Sequence, residues 1–231
     1  MAKTLIMIPG FMCDERLFEP QIRALGQRYD IRVICPDASE TDMAQIAQSV
    51  LQGAPETFAL FGLSMGAIIA MEVVKKAASR VERLALFDCN ALPDTPENSV
   101  ERNRQIELVS AGHLPEVMTQ CHIARYFKDG LNSENLVQLC LDMAESRGAE
   151  AFVNHQTALI RRRDQRASLE QAKMPTLIAC GEFDVPCPLG NHKLIQNLVP
   201  HAKLQVIAGA GHLPTIEQPE KTTQLIDEWL R

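Results

Sequence analysis

Through the first ninety residues, short apolar runs alternate with amphipathic stretches, the pattern of a parallel sheet covered by helices. Thr4–Ile8 reads as a strand stopped by Pro9 and Gly10. Leu17, Phe18, Ile22 and Leu25 recur at helical spacing within 16–28. Ile31–Cys35, ended by Pro36, predicts the next strand, and Asp42 is placed to cap a helix running to about Gln52. Phe58–Phe61 predicts a third strand that passes directly into Gly62–Gly66 and a helix to about Ala78. Leu84–Phe87 predicts a fourth.

After Asn90 the rhythm changes. From Pro93 to about Leu169 no strand-like run occurs, and helices are expected near 97–111, 114–127, 133–146 and 149–163, with Gly112, Gly130 and Gly148 between them. Alternation then resumes with a strand over Pro175–Cys180, a helix near 190–198, a strand over Lys203–Ile207 and a last helix reaching Arg231. The pattern predicts an α/β fold of about six mostly parallel strands flanked by helices. Its core spans 1–92 and 170–231, and residues 93–169 form an all-helical lid. Open parallel sheets bind ligands at the carboxyl ends of their strands. The chemistry is therefore expected in the loops at 9–14, 62–66, 88–93, 181–188 and 209–214.

Composition narrows the function classes. Of 231 residues, 46% are hydrophobic and 23% charged, the balance of a globular protein. The longest apolar stretch, Gly66–Val74 with one Glu inside it, falls far short of the ~20 residues of a membrane span. The apolar part of the amino terminus is too short for a secretory signal. A net charge of −6 argues against nucleic-acid binding. Arg161–Arg163 with Arg166, interrupted by Asp164, reads as a solvated or ion-paired helix end. Seven cysteines without a C-x-x-C pair suit reduced thiols, with Cys35, Cys140 and Cys180 inside apolar runs as small core residues. No ligands cluster at zinc spacing. A cytoplasmic protein without metal, cofactor, membrane or nucleic-acid partner is expected.

Gly62-Leu63-Ser64-Met65-Gly66 fits G-x-S-x-G. With 12 glycines in the chain, composition alone supplies roughly 0.02 such matches. It also lies between a strand-like run and a helix-periodic one, where a nucleophile elbow must sit. There the turn holds the serine in a strained conformation, and glycines leave room for strand and helix to approach. The helix N-terminus favours developing negative charge.

A serine hydroxyl needs a base, and the base needs an orienting acid. Among six histidines, His212 follows Gly209-Ala210-Gly211 just past the last strand. His113, His122, His155, His192 and His201 read as surface or capping histidines. The acid is expected between Ser64 and His212 in chain order. Asp184, just after the fifth strand, is favoured over Glu182 and over Asp88 at the end of the fourth. Oxyanion donors are expected from the amides of Met65 and of Phe11, the latter in the loop after the first strand.

With the elbow G-L-S-M-G, G-x-x-D-x-x-x-P over Gly181–Pro188 and G-H-L-P-x-x-E-x-P over Gly211–Pro219, the chain resembles the α/β-hydrolase family. The resemblance covers most of the chain outside the lid. It implies Ser64 as nucleophile, His212 as base, Asp184 as orienting acid, and Phe11 and Met65 as oxyanion donors. Within the family the chain is most similar to small cap-bearing bacterial carboxylesterases and enol-lactone hydrolases. Pro9 stands where many relatives carry a histidine, and the chain starts at what would be the family's third strand. A serine nucleophile speaks against epoxide hydrolases and dehalogenases, which use aspartate. The expected activity is hydrolysis of a small carboxylic ester, thioester or lactone through an acyl-enzyme. Carbon–carbon hydrolysis, acyl transfer and ligand reception on the same triad are the alternatives. Met12, Phe127, Val185 and Leu213, with Met118 of the lid, are candidates for the substrate pocket, in a monomer or homodimer.

Overall fold

A computed structural model describes residues 3–128, 130 and 133–231. Six strands form one sheet: β1 (Thr4–Ile8), β2 (Asp30–Val33), β3 (Phe58–Leu63), β4 (Val81–Phe87), β5 (Thr176–Gly181) and β6 (Lys203–Ile207). All pairs are parallel, in the spatial order β2-β1-β3-β4-β5-β6. Burial follows that order. The central strands β3 and β5 are buried at every residue, whereas the edge strands β2 and β6 are mostly exposed or half-exposed. Strands covered on both faces must be apolar throughout, so β3 and β5 read as unbroken apolar runs.

Ten helices connect and flank the strands among the described residues. They are α1 (Glu19–Leu25), α2 (Met43–Gly53), α3 (Met65–Ala77), α4 (Pro96–Ser110), α5 (Leu114–Val117), α6 (Glu134–Ile160), α7 (Arg166–Glu170), α8 (Leu189–Leu198), α9 (Pro214–Glu217) and α10 (Pro219–Leu230). Crossovers are right-handed, so the chain's move from β1 outward to β2 and its return to β3 place α1 and α2 on opposite faces. Accordingly α1 packs against α10, while α2 and α7 pack against α3. Asp42 caps α2, its carboxylate accepting from the amides of Ala44 and Gln45, a contribution of about 1 kcal/mol.

Between β4 and β5 the described residues contain helices and turns only. The single helix expected over 114–127 is instead α5, a π turn over Met118–His122 and a 3-10 turn over Ile123–Arg125. The two helices expected on either side of Gly148 are both present: α6 runs through them in sequence but breaks at Gly148, which takes the non-helical φ 80° and ψ 169°. Residues 129, 131 and 132 of the expected lid lie outside the described residues. Side chains tie this insertion to the loops after β1 and β2. Arg16 reaches Ser146 at 2.9 Å, Asn154 reaches the Ala38 carbonyl at 2.9 Å, and the His155 ring meets the Asp37 carbonyl at 2.9 Å.

The order of the strands reverses between β1 and β3, and a crevice opens outside the carboxyl ends of strands at such a point. The loops leaving β1 and β3 meet there: a Cβ built on Gly10 would lie 3.5 Å from the Ser64 Cβ.

Candidate active site

Ser64 is the one residue between β3 and α3, and it holds φ 55° and ψ −116°. Such a conformation costs a non-glycine residue about 1–3 kcal/mol and persists only where its surroundings impose it. Here they do. The Ser64 amide extends the sheet ladder to the Phe87 carbonyl at 2.9 Å, and α3 starts at the next residue. A Cβ on Gly66 would lie 2.1 Å from the Ile8 carbonyl oxygen, and one on Gly62 2.3 Å from the Gly66 oxygen. Both positions admit only hydrogen, and the turn is as tight as it is because they do.

His212 sits in the loop after β6, and the carboxylate of Glu217 braces that loop. It accepts from the amides of Gly211 at 2.9 Å and Leu213 at 3.1 Å, on either side of the histidine. The His212 amide itself donates to the Tyr126 carbonyl at 2.6 Å. Held in this way, the ring places Nε2 2.9 Å from the Ser64 Oγ and Nδ1 2.8 Å from the Asp184 Oδ1. Asp184 stands in the turn after β5, and its Oδ1 also accepts from the Cys187 amide at 2.9 Å.

Burial works to raise the Asp184 carboxyl. The His212 ring, the Cys187 amide and a hydrogen bond from Asp88 outweigh it and hold the group below its ordinary value. Asp88 responds in the opposite sense. Burial and then the Asp184 charge push its carboxyl well above the carboxylate range, so the buried pair carries one proton, on Asp88. The Asp88 Oδ1 accepts from the Gly181 amide at 2.8 Å. Glu182 is turned aside, its Oε2 accepting from the Gly209 amide. An ionised Asp184 only accepts, so Nδ1–H of His212 donates to it and Nε2 is left to accept from the Ser64 hydroxyl. That arrangement can take a proton from Ser64 and return it.

Asp184, Cys187 and His212 each bring one ligand atom within 4.8 Å of the others. Two of these atoms already bond each other, and burial pushes the Cys187 thiol well up, keeping it protonated. The set is poorly suited to a cation.

A cavity of about 220 Å³ opens on Ser64 and His212, and Phe11 and Met65 line it. Met12, Phe127, Val185, Leu213 and Met118 are not in its wall. Four of these are replaced by a chain neighbour: Phe11 for Met12, Tyr126 for Phe127, Pro186 for Val185 and His212 for Leu213. Val185 is 55% exposed, while Met12, Phe127, Leu213 and Met118 are buried. In an irregular loop, which of two neighbours faces the cavity depends on long-range packing that apolar character alone does not report.

His113, which caps α5, and His201 are exposed as expected, but the other three histidines differ from expectation. His122 lines the cavity, and burial pushes it down to about 3, with Arg102 and Arg125 adding to the shift. His155 and His192 are buried rather than surface groups, and the His192 ring accepts from the Cys89 amide at 3.0 Å. Arg162 of the arginine run is buried and lines the cavity, while Arg166 pairs with Asp164 at the surface. No sequence signal marked His122, Arg102 or Arg162 for the wall. Glu217 was visible in the G-H-L-P-x-x-E-x-P pattern.

A model of the family described as "Alpha/beta hydrolase family" matches residues 5–225. The chain is 26% identical over 245 residues to 3-oxoadipate enol-lactonase 1 of Acinetobacter baylyi, covering all of this chain and 89% of that protein. Among solved structures, a thermophilic esterase from Thermogutta terrifontis, with malate bound, has a TM-score of 0.89 and 27% identity, covering 100% of this chain and 90% of that one. The enol-lactonase from Burkholderia xenovorans has the same TM-score at 19% identity, with 100% and 92% covered, a likeness of fold. With a matching family model over nearly its whole length and this sheet, elbow and site loop order, the chain belongs to the alpha/beta hydrolase family.

Proposed function

We propose that this hydrolase cleaves a small carboxylic ester, thioester or lactone through a serine acyl-enzyme. The observation that carries the reading is the row Ser64–His212–Asp184, hydrogen-bonded at 2.9 and 2.8 Å with the serine on a strained elbow at the head of a helix.

In this mechanism the Ser64 Oγ attacks the substrate carbonyl carbon while its proton passes to His212 Nε2, and Asp184 stabilises the imidazolium that results. The carbonyl oxygen becomes an oxyanion and takes hydrogen bonds from the amides of Phe11 and Met65. Neither amide has a backbone acceptor among the described residues, and Met65, as the first residue of α3, has none within the helix. Collapse of the intermediate breaks the bond to the alkoxide or thiolate, which takes the proton from Nε2. In a lactone that alkoxide stays tethered to the acyl chain. Water then gives a proton to His212 and attacks the acyl carbon. The second collapse returns the proton to Ser64 and frees the acid.

The segment 93–169 acts as the lid, since Arg102, His122 and Tyr126 supply wall opposite the elbow. No helix among the described residues is long and apolar enough to cross a membrane. The seven cysteines are unpaired, which supports a reducing, cytoplasmic setting.

A panel of 4-nitrophenyl esters, lactones and acyl thioesters tests the proposal. Ser64→Ala is expected to lose on the order of 10⁴-fold or more in kcat against the best substrate. A folded variant that keeps more than about a tenth of the activity overturns it.

A further inference from the structure

Asp94 is buried completely at its side chain, and two guanidinium groups share it: Arg102 through Nε at 3.0 Å and Arg162 through Nη1 at 2.7 Å. One carboxylate thus faces two cations. Their other partners are neutral. Arg102 also donates from Nη1 to the Gln156 amide oxygen, and Arg162 to the Leu92 and Leu159 carbonyls. On each guanidinium Nη2 has no acceptor among the described residues, and both side chains line the cavity that holds Ser64 and His212. One positive charge is left over on two mostly buried guanidinium groups in the cavity wall, where an uncompensated ion is costly.

The rest of the wall does not supply the missing negative charge. Glu101, the acid of the lining, is engaged by its own arginine, with Arg104 forking onto both oxygens at 2.9 and 2.7 Å. Arg125 lines the wall and forms no ion pair among the described residues. The neutral state of His122 fits the same field, since the charges of Arg102 and Arg125 reinforce the effect of its burial.

We propose that the substrate carries a free carboxylate besides its ester or lactone carbonyl, and that Arg102 and Arg162 bind it through their unengaged Nη2 groups, with Arg125 at the rim. Guanidinium and carboxylate match in shape and charge. At about 220 Å³ the cavity lies below the ~300–1,000 Å³ usual for ligand pockets, so the partner is a short molecule with the two functions close together. This rests on the acyl-transfer reading above and adds the substrate's charge to it.

Two matched pairs test it: mono-4-nitrophenyl succinate against 4-nitrophenyl butyrate, and 4-acetoxybenzoate against phenyl acetate. They place the carboxylate on the acyl and on the alcohol side. The wild-type enzyme is expected to favour the charged member of at least one pair by about tenfold or more in kcat/KM. Arg102→Gln should bring that ratio down toward one. Succinate should compete with the neutral esters, a measurement that needs no variant. Normal Ser64-dependent turnover of both neutral esters, without charge preference and without competition by succinate, overturns the carboxylate site and leaves the hydrolase reading standing. Turnover that survives in Ser64→Ala overturns the serine acyl-enzyme reading instead.

Discussion

At Asp88 a carboxyl group is fully buried with another carboxyl as its neighbour and no cation paired to it. Its backbone has φ 48°, a conformation that Asn shares most readily with Asp. Because Asp88 stays protonated in the fold, its linkage sign is the reverse of a paired carboxylate's. Below about pH 4 the group is protonated in both folded and unfolded chains. As pH rises, the unfolded chain ionises first, so folding loses stability from about pH 4 upward. Asp88→Asn mimics the protonated acid, able to accept from Gly181 and donate toward Asp184. It should therefore show a flatter stability–pH profile in urea unfolding between pH 4 and 8, and be no less stable than wild type at pH 7. Asp88→Ala leaves the Gly181 amide and an Asp184 oxygen without partners, at about 1–3 kcal/mol. An Asn variant as destabilised as the Ala variant would disprove the single-proton account. Nothing local to 88–91 announced this role. A lone aspartate after an apolar strand is consistent with a turn, a catalytic acid or a buried neutral acid, and its distance from Asp184 along the chain hides their contact.

At the scale of the element, the elbow shows how much structure two glycines control. Since a Cβ on Gly66 would run into the Ile8 carbonyl, Gly66→Ala must push α3 away from β1. The expected cost is about 3 kcal/mol, at the upper end of overpacking effects, with a loss of the proposed ester turnover because Ser64 moves with the helix. Chemical denaturation checks the first part and 4-nitrophenyl ester turnover the second. This element was legible because strand, turn and helix are each encoded within a few residues: the apolar run, the glycine spacing and the apolar face that follows. β6 is found over the residues the pattern marks, Lys203–Ile207. Elements were harder to read where no sheet enforces them. Residues 114–127 have helical periodicity, yet three kinds of turn succeed one another there. On that irregular path the His122 ring packs against Phe11 and Phe152 and against Tyr126 of the same segment.

For the molecule as a whole, the join between the helical insertion and the sheet is what turns a crevice into a cavity. Phe152, fully buried, meets Phe11 edge-on at 5.1 Å between ring centroids, and the Tyr126 carbonyl anchors the His212 amide. Phe152→Ala should cost about 3–5 kcal/mol, and it should lower kcat besides, because the Phe11 loop loses its support. Thermal unfolding and steady-state kinetics on the same preparation check both, and a loss of stability with kcat unchanged would show that the loop holds without this contact. The order of the chain by itself determined the alternation of strands and helices, the helical interruption after β4, the strained serine turn, and a histidine and an acid in the right sequence on strand-end loops. These are local properties: period, glycine placement and chain direction are all carried by near neighbours. Tertiary structure alone decided which neighbour in each loop faces the cavity, that Asp88 lies against Asp184, and that Arg102 and Arg162 converge on one carboxylate beside Ser64. Those outcomes depend on residues tens of positions apart meeting in a dry interior, where a charge left over or shared acquires an energy that chain order does not encode.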